Sequence, residues 1–187
     1  MRLSKALYFG DLVLSPIAIL ALAVFALAGR DYWTIGLWLA ALLAGIAAWT
    51  LLEYLVHRFV YHAVPIFEKF HDAHHEEPEA LIGAPSFLMI GFIFLIFFVP
   101  LQTAFGLLVA SGVTSGALVG YIGYMLVHHA SHHFEPRRGT LLYEARLRHM
   151  AHHFHATPGN YGVVTSFWDH VFSTNVERRR VRRASSE

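Results

Sequence analysis

Two five-residue stretches, HDAHH at 71–75 and HMAHH at 149–153, carry the same arrangement of three imidazoles. Two further sets accompany them: HRFVYH, which ends on His57 and His62, and HHASHH over 128–133. At about 100° per residue, His71, His74 and His75 fall within one face of a helix, and so do His149, His152 and His153. His128 and His132 are spaced i, i+4, and His129 and His133 form an equally good pair on the neighbouring face. His57 and His62 are spaced i, i+5, about 140° apart, so a regular helix cannot present both on one face. They can serve one cavity only by facing two different metals or through a distorted helix end.

Imidazoles clustered this densely would repel one another if protonated, and would be costly to bury if neutral and unpaired. A bound cation removes both problems, so metal binding is expected. The patterned set is His57, His62, His71, His74, His75, His128, His132, His149, His152 and His153, with His129 and His133 as the alternative for the third pair. Structural zinc takes four ligands and catalytic zinc usually three plus water, so ten imidazoles exceed one ion. Shared between two ions they give about five each, which suits a redox-capable metal such as iron better than tetrahedral zinc, although zinc can occupy such ligands in isolated protein. His155 and His170 stand outside the pattern and are expected to be hydrogen-bonded core residues.

The rest of the chain must hold these groups in place, and it is mostly apolar. It is 56% hydrophobic, with mean hydropathy +0.47 and only 14% charged residues, against about 25% in soluble domains. Residues 12–29 and 32–52 are uncharged and long enough to cross a bilayer core of about 30 Å; the first lacks the pattern of a cleaved leader. A longer stretch without charge or histidine, 80–127, would exceed twice that thickness as one helix, so it is expected to fold back between Gln102 and Ser115, where Pro100, Gly106, Gly112 and Gly116 are available breakers. The segment 140–155 reads as an amphipathic helix that packs by its imidazole face. Of the Lys and Arg residues only Arg30 falls opposite the rest, which makes the histidine-bearing side cytoplasmic.

The expectation is an all-α integral membrane protein. A single domain over 1–187 comprises a four-helix stem (spans near 9–29, 32–55, 82–103 and 108–130), a cytosolic helical cap from 56–81 and 131–175, and a basic tail at 176–187. Arg178, Arg179, Arg180, Arg182 and Arg183 in that tail read as an anchor to anionic lipid. Net charge is +1, so no bulk field recruits nucleic acid. The absence of cysteine removes disulfides, thiolate zinc sites and the usual iron–sulfur clusters. No HExxH or Gly-rich phosphate loop occurs. A membrane metal-ion transporter also joins spans to histidines, but its ligands belong near mid-membrane, where this chain has none.

HRFVYH following Glu53, the two HxxHH boxes, the helix-borne HHASH at 128–132 and the closing NYGVVTSFWDHVF at 160–172 together resemble the fatty acid hydroxylase / sterol desaturase superfamily of membrane non-haem di-iron enzymes. The resemblance runs from about Leu51 to Thr174. It implies that all ten patterned histidines are catalytic metal ligands, with His128 and His132 as the third pair. It also implies O2-dependent hydroxylation or desaturation of a C–H bond in a lipid, a fatty acyl chain or a sterol-like one, with carotenoid hydroxylation as the nearest alternative. Glu53, Asp72 and Asp169 are candidates for orienting imidazole N–H groups. No flavin, haem or HPGG-type cytochrome b5 motif is present, so a separate ferredoxin or cytochrome b5-like donor is expected. The site should face the cytoplasm from a bacterial inner membrane or the endoplasmic reticulum.

Overall fold

The computed structural model describes residues 2–176, and among them the chain is all-helical; its one β-type pairing is an isolated bridge between Arg2 and Ile82. The expected basic tail, with its arginines at 178–183, lies outside the described residues apart from Val176. Helices α1 (Lys5–Phe9) and α2 (Asp11–Leu27) are followed by α3 (Tyr32–Leu55), which continues through a π-helical turn at Val56–Tyr61. Asp31 starts α3 as an N-cap, its side chain accepting from Thr34 N at 2.8 Å. Helix α4 (Pro65–Glu76) has proline in its first turn, where the missing N–H costs nothing. Then come α5 (Ser86–Ile93), a second π-helical stretch at Phe94–Phe98, α6 (Val99–His133), α7 (Leu141–Phe154) and α8 (Phe167–Val171).

Three helical stretches are long and apolar enough to cross a membrane: Lys5–Leu27, Tyr32–Tyr61 and Ser86–His133. The third is interrupted at Gly106, whose φ of 77° is a left-handed conformation that glycine adopts without a Cβ clash. Ile93, before the break, joins Ala117, Leu118 and Tyr121, after it, in one hydrophobic cluster with Leu22 and Trp49. A straight helix would hold Ile93 and Leu118 about 38 Å apart, so the chain reverses at Gly106.

Two of the glycines expected as breakers do something else. Gly112 and Gly116 lie inside α6 and let it approach α3: a Cβ on Gly116 would collide with the Leu42 carbonyl, and one on Gly112 would press on Ala41 and Trp38. Gly45 on α3 meets the Val113 backbone in the same way. Small residues at this spacing allow the close helix contact that apolar surroundings favour. Outward, the same helices expose large side chains such as Leu20, Phe25, Leu43 and Leu95, the pattern of a stem whose solvent is lipid. Buried polar ties cross the stem, from the Tyr121 hydroxyl on α6 to Asp11 Oδ2 on α2 at 2.6 Å and from Trp38 Nε1 on α3 to Ser111 Oγ on α6 at 3.1 Å.

Candidate metal centre

The π-helical turn resolves the i, i+5 problem. In i→i+5 bonding the residues five apart stand one above the other, and the rings of His57 and His62 stack at 5.3 Å. The distorted helix end is therefore the arrangement found. His71, His74 and His75 come from the last two turns of α4, and His128 and His132 from the end of α6. His149, His152 and His153 come from α7, which packs inward on Ala145, His149 and His152.

These ten side chains converge in two groups. His74, His128, His132, His149 and His153 offer ring nitrogens that all lie within 4.8 Å of one another, and so do His57, His62, His71 and His152. His75 stands beside the second group, its Nε2 3.0 Å from His71 Nε2 and 3.2 Å from His152 Nε2. In the first group His149 Nε2 is 2.8 Å from His132 Nε2 and 3.1 Å from His153 Nε2, and His128 Nε2 is 3.0 Å from His74 Nε2. For metal–nitrogen bonds of about 2.1 Å, ligands at right angles lie about 3.0 Å apart and tetrahedral ones about 3.4 Å.

Hydrogen bonding alone does not satisfy the second group. His57 Nδ1 donates to the Tyr161 carbonyl at 2.6 Å and His152 Nδ1 donates to the Gly159 carbonyl at 2.9 Å. With the proton fixed on Nδ1, a neutral ring turns a bare Nε2 lone pair inward. His71 must then donate to His57 at 3.1 Å and His75 to His152, yet His71 and His75 also face each other through Nε2. One of those contacts sets like against like. A cation among the nitrogens removes the conflict, so the donor set fits metal ions.

Electrostatics keeps the rings ready for that role. Burial holds His74 and His152 down to about 3, with nearby imidazoles adding to the effect. Burial also lowers His62, His71, His75, His149 and His153 from their ordinary value. At neutral pH these are unprotonated bases, the form that binds metal.

The carboxylates act one step further back than their proximity in sequence suggests. Asp72 is exposed. Asp169, fully buried, accepts from Tyr161 N and Gly162 N at 2.9 Å each and from Thr174 Oγ1 at 2.8 Å. Glu53 Oε1 accepts from Val163 N at 2.7 Å and Val164 N at 3.1 Å. Between them they clamp the 159–164 turn, and the carbonyls of Gly159 and Tyr161 in that turn orient His152 and His57. Asn160 holds a positive φ of 55° there, a conformation asparagine tolerates.

A cavity of about 380 Å³ opens beside the histidines, lined by His57, His71, His74 and His128 together with Phe67, Phe70, Leu88, Met89, Tyr61 and Tyr124. Its size and mostly apolar wall match small-molecule sites in general. The sequence reading singled out none of these aromatic residues, because aromatic side chains beside a span carry no signal distinct from packing.

The fatty acid hydroxylase profile matches residues 42–174. The chain belongs to the fatty acid hydroxylase family. Among curated members it is 32% identical to a fatty acid 2-hydroxylase of Macaca fascicularis over 149 residues, covering 72% of this chain and 39% of that protein. It is 32% identical over 173 residues to a dihydroceramide fatty acyl 2-hydroxylase of Arabidopsis thaliana, covering 85% of this chain and 69% of the other. The chain thus spans about two fifths of the length of the mammalian members it matches. Its fold is shared with a solved structure described as full-length scs7p with only the hydroxylase domain visible, at a TM-score of 0.77 and 22% identity over 91% of this chain and 67% of that one.

In this family member the remaining histidines stand apart. His129 and His133 stack on each other at 4.1 Å, and His129 lies against Tyr8 and Phe9 rather than against either group. His155 and His170, expected in the core, are exposed; each bonds locally, His155 Nδ1 accepting from Thr157 N and His170 Nδ1 donating to Ser166 O.

Proposed function

We propose that the protein is an O2-dependent membrane oxidoreductase that hydroxylates a fatty acyl chain at a centre of two histidine-held metal ions. The observation that carries this reading is the convergence in two ligand-spaced groups of ten imidazoles, four of which line a mostly apolar cavity. The chemistry of the donor set favours iron: only imidazole nitrogens, about five for each ion, with no thiolate or carboxylate among them. Ions held there supply the redox chemistry that turns C–H into C–OH, with the balance R–H + O2 + 2 e⁻ + 2 H⁺ → R–OH + H2O. The two electrons come from a separate donor, a ferredoxin or cytochrome b5-like protein.

The chain's own residues bind and orient. His57, His62, His71, His75 and His152 are the ligands of one ion, and His74, His128, His132, His149 and His153 those of the other. Glu53 and Asp169 are positioning residues, acting on His57 and His152 through the 159–164 turn. Phe67, Phe70, Leu88 and Met89 take the acyl chain and exclude water, while Tyr61 and Tyr124 stand where that chain meets the imidazoles. The relatives named for acyl 2-hydroxylation favour the carbon next to the carboxyl or amide carbonyl, and a free or ceramide-linked acyl chain, over a sterol or a carotenoid.

In this reading the stem crosses the bilayer four times, the Gly106 reversal dividing the third apolar stretch into two spans. The helices and loops carrying the histidines then form a cap on the cytoplasmic face, where the described Lys and Arg residues other than Arg30 also gather. Comparative lipid analysis of cells expressing the wild type or His152→Ala tests the activity. The wild type should accumulate acyl lipids heavier by one oxygen, with the hydroxyl at carbon 2. Identical lipid profiles, or a product lighter by two hydrogens, would overturn the assignment.

A further inference from the structure

A file of aromatic rings runs from the histidines into the apolar stem. Tyr124 stacks on His128 with centroids 5.5 Å apart and planes 6° from parallel. Tyr121 follows at 6.5 Å from Tyr124, and Trp49 closes a triangle, 5.3 Å from Tyr121 and 6.4 Å from Tyr124. Tyr121 and Trp49 are both buried. Tyr121 differs from Trp49 in having somewhere to send a proton. Its hydroxyl donates to Asp11 Oδ2 at 2.6 Å, so a carboxylate stands in direct hydrogen-bond contact to receive that proton. The Trp49 indole N–H has no hydrogen-bond partner.

Asp11 itself calls for an account. It is 1% exposed within an apolar stem, and its Oδ1 has no partner. An ionisable residue in such a place is costly, and tying α2 to α6 does not require one: a neutral hydrogen-bonded pair would do so at lower cost. Neither Asp11 nor Tyr121 touches the histidines or lines the cavity, so the proposed hydroxylation leaves both unused.

We infer that Tyr124, Tyr121 and Asp11 form a redox outlet that drains the centre when it is oxidised without a lipid to attack. The inference rests on the metal-centre reading above. Metal ions held by the imidazoles would supply the oxidant, with O2 as terminal acceptor in the absence of lipid. Tyr121 loses one electron, which passes along Tyr124 and His128 to that site. The Tyr121 O–H proton moves to Asp11 Oδ2, leaving a neutral phenoxyl radical and a carboxylic acid. No proton leaves the stem and no bond between heavy atoms changes. An electron from the external donor and return of the proton restore the pair. Trp49 cannot shed its proton, so the hole rests on Tyr121. The outlet spares the ligand imidazoles from oxidation.

Iron-loaded, reduced protein is mixed with O2 without lipid, frozen at intervals and examined by electron paramagnetic resonance, with metal content and O2 uptake measured on the same samples. The expected result is a neutral tyrosyl signal that narrows when deuterated tyrosine is incorporated and is suppressed by saturating lipid. The signal is lost in Tyr121→Phe and weakened in Asp11→Asn, both with metal content and O2 uptake as in the wild type. Tyr121→Phe keeps the ring packing, so it decides the matter even where Asp11→Asn does not fold. A tyrosyl signal that survives Tyr121→Phe, an indole-type radical, or no radical despite normal O2 uptake overturns the outlet while leaving the metal centre standing. Wild type that binds no metal or takes up no O2 overturns both.

Discussion

His57 and His152, on one side of the centre, each donate Nδ1–H to a backbone carbonyl, whereas His74, His149 and His153, on the other, have no partner at Nδ1. His57 and His152 take their orientation from a turn, 159–164, that is itself held by Asp169 and Glu53. The group of His74, His128, His132, His149 and His153 takes its orientation from the packing of α4, α6 and α7, which crowds five rings together. The same side chain is thus fixed by a hydrogen-bonded clamp in one place and by helix packing in the other. The clamped group should respond to distant changes in the turn; the packed group should respond only to changes in its own rings and helices.

The largest expected effect comes from removing a ligand on either side. His152→Ala and His149→Ala should each abolish hydroxylation, and each should lower the metal content of purified protein by about one ion. Retention of both ions in either variant would contradict the division into two groups. Protonation should strike both sides together. In metal-free protein His74 and His152 titrate near about 3 instead of the ordinary 6.5, so the unfolded chain takes up their protons first as pH falls. Their contribution to stability is intact above pH 6.5 and is lost as pH falls toward about 3, at up to about 1.4 kcal/mol per pH unit for each. Melting temperature of the metal-free protein should fall over that window, and metal, which competes with protons, should delay the fall. A flat profile between pH 7 and 4 would count against buried, neutral rings.

A smaller effect separates the two groups. Asp169→Asn removes the charge from the clamp and should cost about 1–3 kcal/mol of stability. The ion held by His57 and His152 should be lost or loosened first while the other is retained, as read by metal content during titration with a chelator. Equal loosening of both ions would erase the contrast. The smallest effects belong to the histidines outside the groups: His155→Ala and His133→Ala should leave metal content unchanged and alter stability by no more than about 0.5 kcal/mol.

The histidine spacings made much of this legible. The faces of α4 and α7 and the i, i+4 pair on α6 follow from helix periodicity, and the uncharged runs announced the apolar stretches. Periodicity could not choose between His128 with His132 and His129 with His133, because both pairs have the same spacing; the choice depends on which face of α6 turns toward His74 and His149. The π-helical turn was visible only as a conflict, since HRFVYH requires a distortion without naming its form. Sequence could not single out Gly106 from Gly112 and Gly116 as the breaker, because glycine serves both turns and close helix contacts, and only the position of α3 tells them apart. The clamp was hidden because it works through backbone carbonyls, which leave no mark in the sequence beyond the NYG motif and a distant Asp169. His155 and His170 looked like core residues by type, but lie where the chain is exposed.

The central claim is that two ions are held by imidazole nitrogens alone, and X-ray absorption at the metal edge of the loaded protein tests it most directly. The predicted result is a first shell of about five nitrogens near 2.1 Å, with the outer-shell scattering of imidazole rings. A first shell holding sulfur, or one with fewer than three imidazoles per ion, would contradict it.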